Sequence, residues 1–173
     1  SFSVEKDELV LNYHNEQLKI LATGFDHVEF LLSSNPGEIP RPLAKIASGG
    51  EIARVMLAIK TVLAGADAVP TLIFDEIDAG IGGRAVQKVA AKLAQVSSYH
   101  QVICITHLPQ IAAAGNSHFY IHKETIAGNT YTQIERLSKE ARIKELARML
   151  AGNNVTAVVL QHAKQLLEQV SLS

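Results

Sequence analysis

The 173 residues are 47% hydrophobic and 19% charged, with a formal net charge of −1 and a pI of about 6.6. That balance predicts a folded chain forming one core or one lobe of a larger domain, and it gives no overall basic footprint for nucleic acid, so such a contact needs a local patch. No apolar run nears the roughly eighteen residues of a membrane span, SFSVEKDELV lacks a signal-peptide core, and the lone Cys104 excludes an internal disulfide framework and suits a reducing cytoplasm.

Ser1 stands where a complete protein would carry methionine, so a piece of a longer chain is expected. Residues 8–13 (ELVLNY) and 17–34 (QLKILATGFDHVEFLLSS) alternate in part and break at Gly24, which predicts two or three antiparallel strands. Asn35-Pro36-Gly37 predicts a turn, and Pro40 and Pro42 keep the following loop extended. From Ser48 to Ala64, Ile52, Val55, Met56, Ile59 and Leu63 follow helical spacing with one buried face, and Gly65 ends the run. The short apolar run 69–74 (VPTLIF) reads as a parallel strand covered on both faces, and it ends at Asp75-Glu76. Gly80, Gly82 and Gly83 make a loop, after which 84–97 sets Val86, Val89, Ala90 and Leu93 on one helical face. A second buried strand, 101–106 (QVICIT), also ends in polar residues, Thr106-His107. A short helix over 108–114, a hairpin of 117–125 and 130–137 closed over Gly128-Asn129, and amphipathic helices over 139–151 and 155–170 follow. Strand–helix–strand alternation predicts an α/β layered sheet with ligands beyond the carboxyl ends of its strands.

Four constellations bear on chemistry, each with a plainer reading beside it. Ser48-Gly49-Gly50-Glu51 fits a capping box, in which Ser48 and Glu51 satisfy the first turn. A capping box leaves two glycines unexplained, although glycine costs a helix interior about 0.5–1 kcal/mol. An anion site explains them, because free N–H groups and the positive dipole end suit phosphate, and glycine opens the backbone to it. Asp75, Glu76 and Asp78 close an apolar strand with three acids in four residues, as a polar turn or as a cation-binding rim. One carboxylate can hold Mg²⁺ through water, and its neighbour can orient or deprotonate an attacking water. His107 is either a structural hydrogen-bonder or a contact to a terminal phosphate on the same rim. Arg84, Lys88 and Lys92 step along one helix face, as a solvated surface or a contact to DNA phosphates. Cys104 reads as a small core residue, and His14, His27, His100, His118, His122 and His162 show no metal-ligand spacing.

SGGE opening a helix, an apolar strand ending DE and an apolar strand ending TH resemble, in that order, the signature motif, Walker B motif and switch histidine of ATP-binding-cassette (ABC) ATPases. KIASGGEIARVMLAIK, LIFDEIDAGIGG and VICITHLPQIAA, with NPGEIPRPLAKIASGGE and ELARMLAG, resemble more closely the bacterial RecN family of SMC-like DNA-repair proteins, over roughly Gly24 to Leu167. The resemblance implies a P-loop NTPase head of ABC/SMC type, of which 1–173 is the C-terminal lobe, with a parallel sheet core flanked by helices. A phosphate-cradling G-x-x-x-x-G-K-[ST] is missing, since the chain has no Gly-Lys dipeptide. The family places that loop in an N-terminal lobe, beyond a long coiled coil, so this lobe alone should bind ATP weakly or not at all. Ala47 replaces the leucine often found before SGGE, and Gly82 stands where a post-Walker B aspartate is common, so that aspartate's role is not carried over.

By the same resemblance, ATP and Mg²⁺ lie between two heads. Ser48, Gly49, Gly50 and Glu51 would face the nucleotide of a second head in trans. Asp75 would position Mg²⁺ through water, Glu76 would be the general base, and His107 would sense the γ-phosphate, all beside the P-loop lobe of the same protein. The implied whole is a homodimerising ATPase of DNA double-strand-break repair and recombination in the bacterial cytoplasm, at the nucleoid, acting in the SOS response, with DNA as partner and no membrane. The rival class is a metal-dependent nuclease or phosphohydrolase using Asp75, Glu76, Asp78 and His107. A non-enzymatic interaction module with structural acids and glycines is the third expectation.

Overall fold

The computed structural model describes residues 2–5, 8–13, 16–20, 28–33, 37–45, 48–63, 65–126 and 128–170. They fall into two compact units, 1–46 and 47–173.

In the first unit, strands β1 (Phe2–Glu5), β2 (Glu8–Tyr13) and β3 (Glu16–Ile20) form an antiparallel meander, with Leu9 opposite Ile20. The stretch 17–34, expected to break at Gly24, supplies β3, which ends at Ile20, and β4 (Leu31–Leu32), which pairs with β5 (Arg41–Pro42) in a separate sheet. Gly24, Asn35 and Pro36 lie outside the described residues, and Gly37 takes the positive φ of a turn, 88°.

The second unit opens with α1 (Gly49–Leu63), then β6 (Thr71–Phe74), α2 (Arg84–Val96), β7 (Gln101–Cys104) and α3 (Pro109–Ala114). Strands β6 and β7 are parallel, Thr71 opposite Gln101 and Phe74 opposite Cys104, as a strand–helix–strand crossover requires. The register extends past both ends, with the Gln101 N–H donating to the Pro70 carbonyl at 2.8 Å and the Ile105 N–H to Phe74 at 2.9 Å. Period-two alternation sends Leu72 and Phe74 into a core shared with Leu57, Val86, Leu93, Val96 and Ile111.

The opposite face differs from expectation. Ile73, Ile103 and Ile105 are 68%, 46% and 52% exposed, so the strands are covered on one side only. Their continuous apolar sequence suits two covers, and among the described residues the helices supply one. Cys104 is half-buried against the core, and its thiol is pushed up to about 11 by burial and by the nearby Asp78 and Asp75.

Hairpin β8 (Phe119–Ile126) and β9 (Asn129–Arg136) follows, then α4 (Lys139–Ala151) and α5 (Ala157–Val170). Ser138 caps α4 by accepting the Ala141 N–H at 3.2 Å, and Gly152 closes it at φ 61°. Leu146, Ala147, Ala163 and Leu167 join Ala113 in a second core cluster. No helix among the described residues is long and apolar enough to cross a membrane.

Candidate functional site

Because β6 and β7 run parallel, the residues that follow them emerge at one rim. Asp75 and Glu76 leave β6 exposed, and His107 stands exposed beyond β7. Asp75 Oδ1 accepts the Glu76 N–H at 2.9 Å, which turns the chain sharply. Glu76 sits at φ 56°, the one positive φ of a non-glycine residue among those described. Such a backbone costs about 1–3 kcal/mol and persists where its surroundings impose it.

The turn drives Ile77 and Asp78 inward, to 0% and 4% exposure. Asp78 Oδ2 accepts the Thr106 hydroxyl at 2.5 Å and the His107 N–H at 3.0 Å, and lies 3.1 Å from His107 Nδ1. The Thr106 oxygen in turn accepts the Leu108 N–H at 3.0 Å. Burial of Asp78 opposes its ionisation, but the Thr106 and His107 hydrogen bonds outweigh burial and hold the carboxyl below the ordinary aspartate range. One buried carboxylate therefore fastens the end of β7 to the end of β6 and fixes His107 through Nδ1. Asp78 was expected on the rim; it is the tie beneath it. Its spacing three residues beyond Asp75 was visible, but the direction of its side chain depended on the unusual φ of Glu76.

The start of α1 packs onto this same turn. A Cβ on Gly50 would stand 2.9 Å from the Glu76 carbonyl oxygen and 3.0 Å from Ala79 Cβ; one on Gly49 would stand 2.8 Å from Glu76 Oε2. Gly50 is buried, Gly49 exposed and Ser48 half-buried. Close helix-to-loop packing is thus a cause of the second glycine that sequence alone did not reveal. No hydrogen bond among the described residues joins the Ser48 hydroxyl or the Glu51 carboxylate to the first turn, so no capping box accounts for them.

Arg54, unremarked in the sequence, clamps the loop. Its guanidinium donates to the carbonyls of Ile77 at 3.1 Å and Ala79 at 2.8 Å. Its position, six residues after Ser48 on α1, was the available signal. Arg84, Lys88 and Lys92 are exposed on α2, as a solvated face requires. Among the described residues no three His, Cys, Asp or Glu side chains converge to hold a metal. With Asp78 committed beneath the rim, the four-residue metal centre of the nuclease reading is not assembled.

An exposed Asp75 does fit a single-carboxylate contact to Mg²⁺, an ion that takes few carboxylates and completes its shell with water and phosphate. Parallel strands delivering DE and TH to one rim, with an SGGE helix start packed onto the same turn, make an α/β unit whose three motifs gather at one end of its sheet. Comparison with known proteins finds relatives over most of the chain. No protein-family model matches the chain, but individual proteins do. DNA repair protein RecN of Treponema pallidum is 55% identical over 144 residues, 83% of this chain and 25% of that protein. RecN of Bacillus subtilis is 46% identical over 156 residues, 90% of this chain and 27% of that one. RecN of Haemophilus influenzae is 42% identical over 168 residues, 97% and 30% respectively. The chain is similar to these RecN proteins over most of its own length, and it spans between a quarter and a third of theirs. A solved chain described as "Structural biochemistry of ATP-driven dimerization and DNA stimulated activation of SMC ATPases" superposes at TM-score 0.46 with 24% identity, over 72% of this chain and 81% of that one; a superposition at that level does not by itself define the fold.

Proposed function

We propose that residues 1–173 form the C-terminal lobe of an ATP-hydrolysing head that acts in DNA double-strand-break repair and recombination. The observation that carries this reading is the shared rim, where a buried Asp78 ties the DE turn to His107. Bound ATP with Mg²⁺ supplies the electrophilic phosphorus and the cation that neutralises its oxygens. Asp75 holds that cation through water. Glu76, exposed at the rim, orients and deprotonates the attacking water. His107 directs its remaining ring nitrogen outward as a γ-phosphate contact, with Asp78 fixing the ring.

Ser48 and Gly49, at the open side of the α1 N-terminus, with Glu51 beside them, face the nucleotide of a second head. Gly50 lends its lack of a side chain to packing and its N–H to that helix end. The partner lobe with the P-loop covers the apolar face of Ile73, Ile103 and Ile105, which water would otherwise meet. The chain by itself is inactive, because it lacks the phosphate loop. A homodimer of heads, coiled-coil arms, DNA as partner, and SOS-linked action at the bacterial nucleoid complete the reading, in keeping with the RecN relatives.

Glu76→Gln in the full-length protein tests it. A general base contributes about 10²- to 10⁴-fold. The variant should lose ATP hydrolysis by that factor while ATP still draws heads into dimers, read by light scattering. Hydrolysis at the wild-type rate would remove Glu76 from the role of base.

A further inference from the structure

In this unit the end of the hairpin and the start of α4 enclose an open cleft of about 370 Å³. Asn116, Ser117, His118, Arg136, Lys139 and Arg142 line it, with no carboxylate among the lining residues. The neighbouring acids are occupied elsewhere. Glu140 turns to the Ser138 hydroxyl at 3.2 Å, and Glu145 holds Arg148 at 2.7 and 2.8 Å.

Glu140 feels the charge of its neighbour Lys139, but among the described residues no acid forms a salt bridge with Arg136, Lys139 or Arg142. Among the described residues Arg136 donates to the Ser117 hydroxyl at 3.1 Å and to no other side chain. Arg142 is half-buried and donates to neutral carbonyls, to Gly115 at 2.6 Å and Asn116 at 3.3 Å, while its Nε is buried without a partner. His118 Nδ1 is likewise buried and unpartnered. Among the described residues Arg142 is thus held by the carbonyls of Ala112, Ala113, Gly115 and Asn116 alone, and an anion in the cleft would supply the counter-charge that these neutral groups do not.

We propose that this cleft takes a phosphodiester of a nucleic-acid backbone, with Arg136 and Lys139 as its charge contacts, Ser117 and Asn116 as neutral ones, and Arg142 as its wall. The mixture of cationic and small neutral groups is the one that phosphate contacts use, and the cleft has room for a phosphate with its sugar. The choice of nucleic acid over a free phosphate rests on the DNA-repair reading of the chain. The near-neutral overall charge is consistent with it, because the footprint is one cleft rather than a whole surface.

The test is the salt dependence of binding of a fluorescein-labelled DNA duplex to the full-length protein, by anisotropy, for wild type and for the double variant Arg136→Gln, Lys139→Gln. Each lost phosphate contact lowers the slope of log affinity on log salt by about 0.9, so the pair should lower it by about 1.8 and weaken binding about thirty-fold near physiological salt. ATP hydrolysis without DNA should not change, since neither residue belongs to the rim. Lys139→Gln alone should lower the slope by about half as much, which keeps the test valid if the double variant unfolds. Unchanged slope and affinity would overturn the assignment. So would full displacement of DNA by millimolar inorganic phosphate at constant ionic strength, which would identify a free-anion pocket. Wild-type protein that binds no DNA even at about 50 mM salt would instead bring down the DNA-repair reading, and the cleft with it.

Discussion

The second unit holds two two-stranded sheets that differ in what stabilises them. In β6–β7 the strands pair in parallel across a helical crossover, and Leu72 and Phe74 are buried beneath α1 and α2. In β8–β9 the strands pair antiparallel over a tight turn at Gly128, φ 82°, and none of their sixteen described positions is buried. Alternation still shows: Tyr120 and His122 are half-covered and stacked at 5.1 Å, Tyr120 lies beneath Arg148 of α4, and Phe119 and Ile121 face water. The first sheet depends on side chains distant in sequence; the second is set by a local turn and its backbone ladder. A site that must hold acids and a histidine in fixed positions sits on the first. The cationic cleft sits at the end of the second, where Arg136 and Lys139 are exposed.

The sharpest way to break that contrast is a matched truncation. Phe74→Ala should cost about 3–5 kcal/mol, as buried phenylalanines do. Ile134→Ala, at a position 66% exposed on β9, should cost no more than about 0.5 kcal/mol. Urea unfolding of both variants checks the pair, and equal losses would mean that the hairpin is packed as firmly as the core.

The same contrast explains what was legible beforehand. Both sheets, all five helices and the shared rim followed from periodicity and from the polar ends of two apolar runs. Helix α4 was placed at its observed bounds from its amphipathic spacing, and the structure shows that Ser138 and Gly152 mark its two ends chemically. Three things were hidden. The inward turn of Asp78 follows from one residue, Glu76, in a backbone region that composition does not announce. The open face of Ile73 and Ile103 reads in sequence like a covered one, because a continuous apolar run is the pattern of a strand covered on both faces, whichever face the described residues leave open. The cleft joins Ser117, Arg136 and Arg142, which no periodic pattern brings together.

Asp78 offers the next largest effect. Asp78→Asn keeps the shape but removes the charge that accepts from Thr106 and His107, and charge-assisted hydrogen bonds are worth about 1.5–3 kcal/mol. The native carboxyl titrates below its unfolded value, so its contribution is fully present above the unfolded aspartate pKa of about 3.9. That contribution is lost as pH falls through the depressed native value. The variant should therefore be less stable than wild type at pH 7, and the gap should narrow as pH drops below about 4. Unfolding midpoints by circular dichroism at both pH values measure it. A gap independent of pH would assign the loss to packing rather than to the carboxylate.

The smallest effects separate the two glycines at the start of α1. Alanine favours a helix over glycine by about 0.5–1 kcal/mol, so on propensity alone both Gly49→Ala and Gly50→Ala should stabilise. Geometry divides them. The new Cβ at Gly49 meets only the end of the Glu76 side chain, which can swing aside. At Gly50 it meets the Glu76 carbonyl oxygen at 2.9 Å and Ala79 Cβ at 3.0 Å, and the carbonyl belongs to a turn already held at an unfavourable φ and clamped by Arg54. Overpacking of this kind costs about 1–3 kcal/mol. Gly50→Ala should therefore lower stability by about 1 kcal/mol net, while Gly49→Ala should leave it unchanged or raise it slightly. Thermal melts of the two variants side by side decide the matter. If both gain stability alike, α1 does not rest on the Glu76 turn, and the second glycine needs a cause outside this chain.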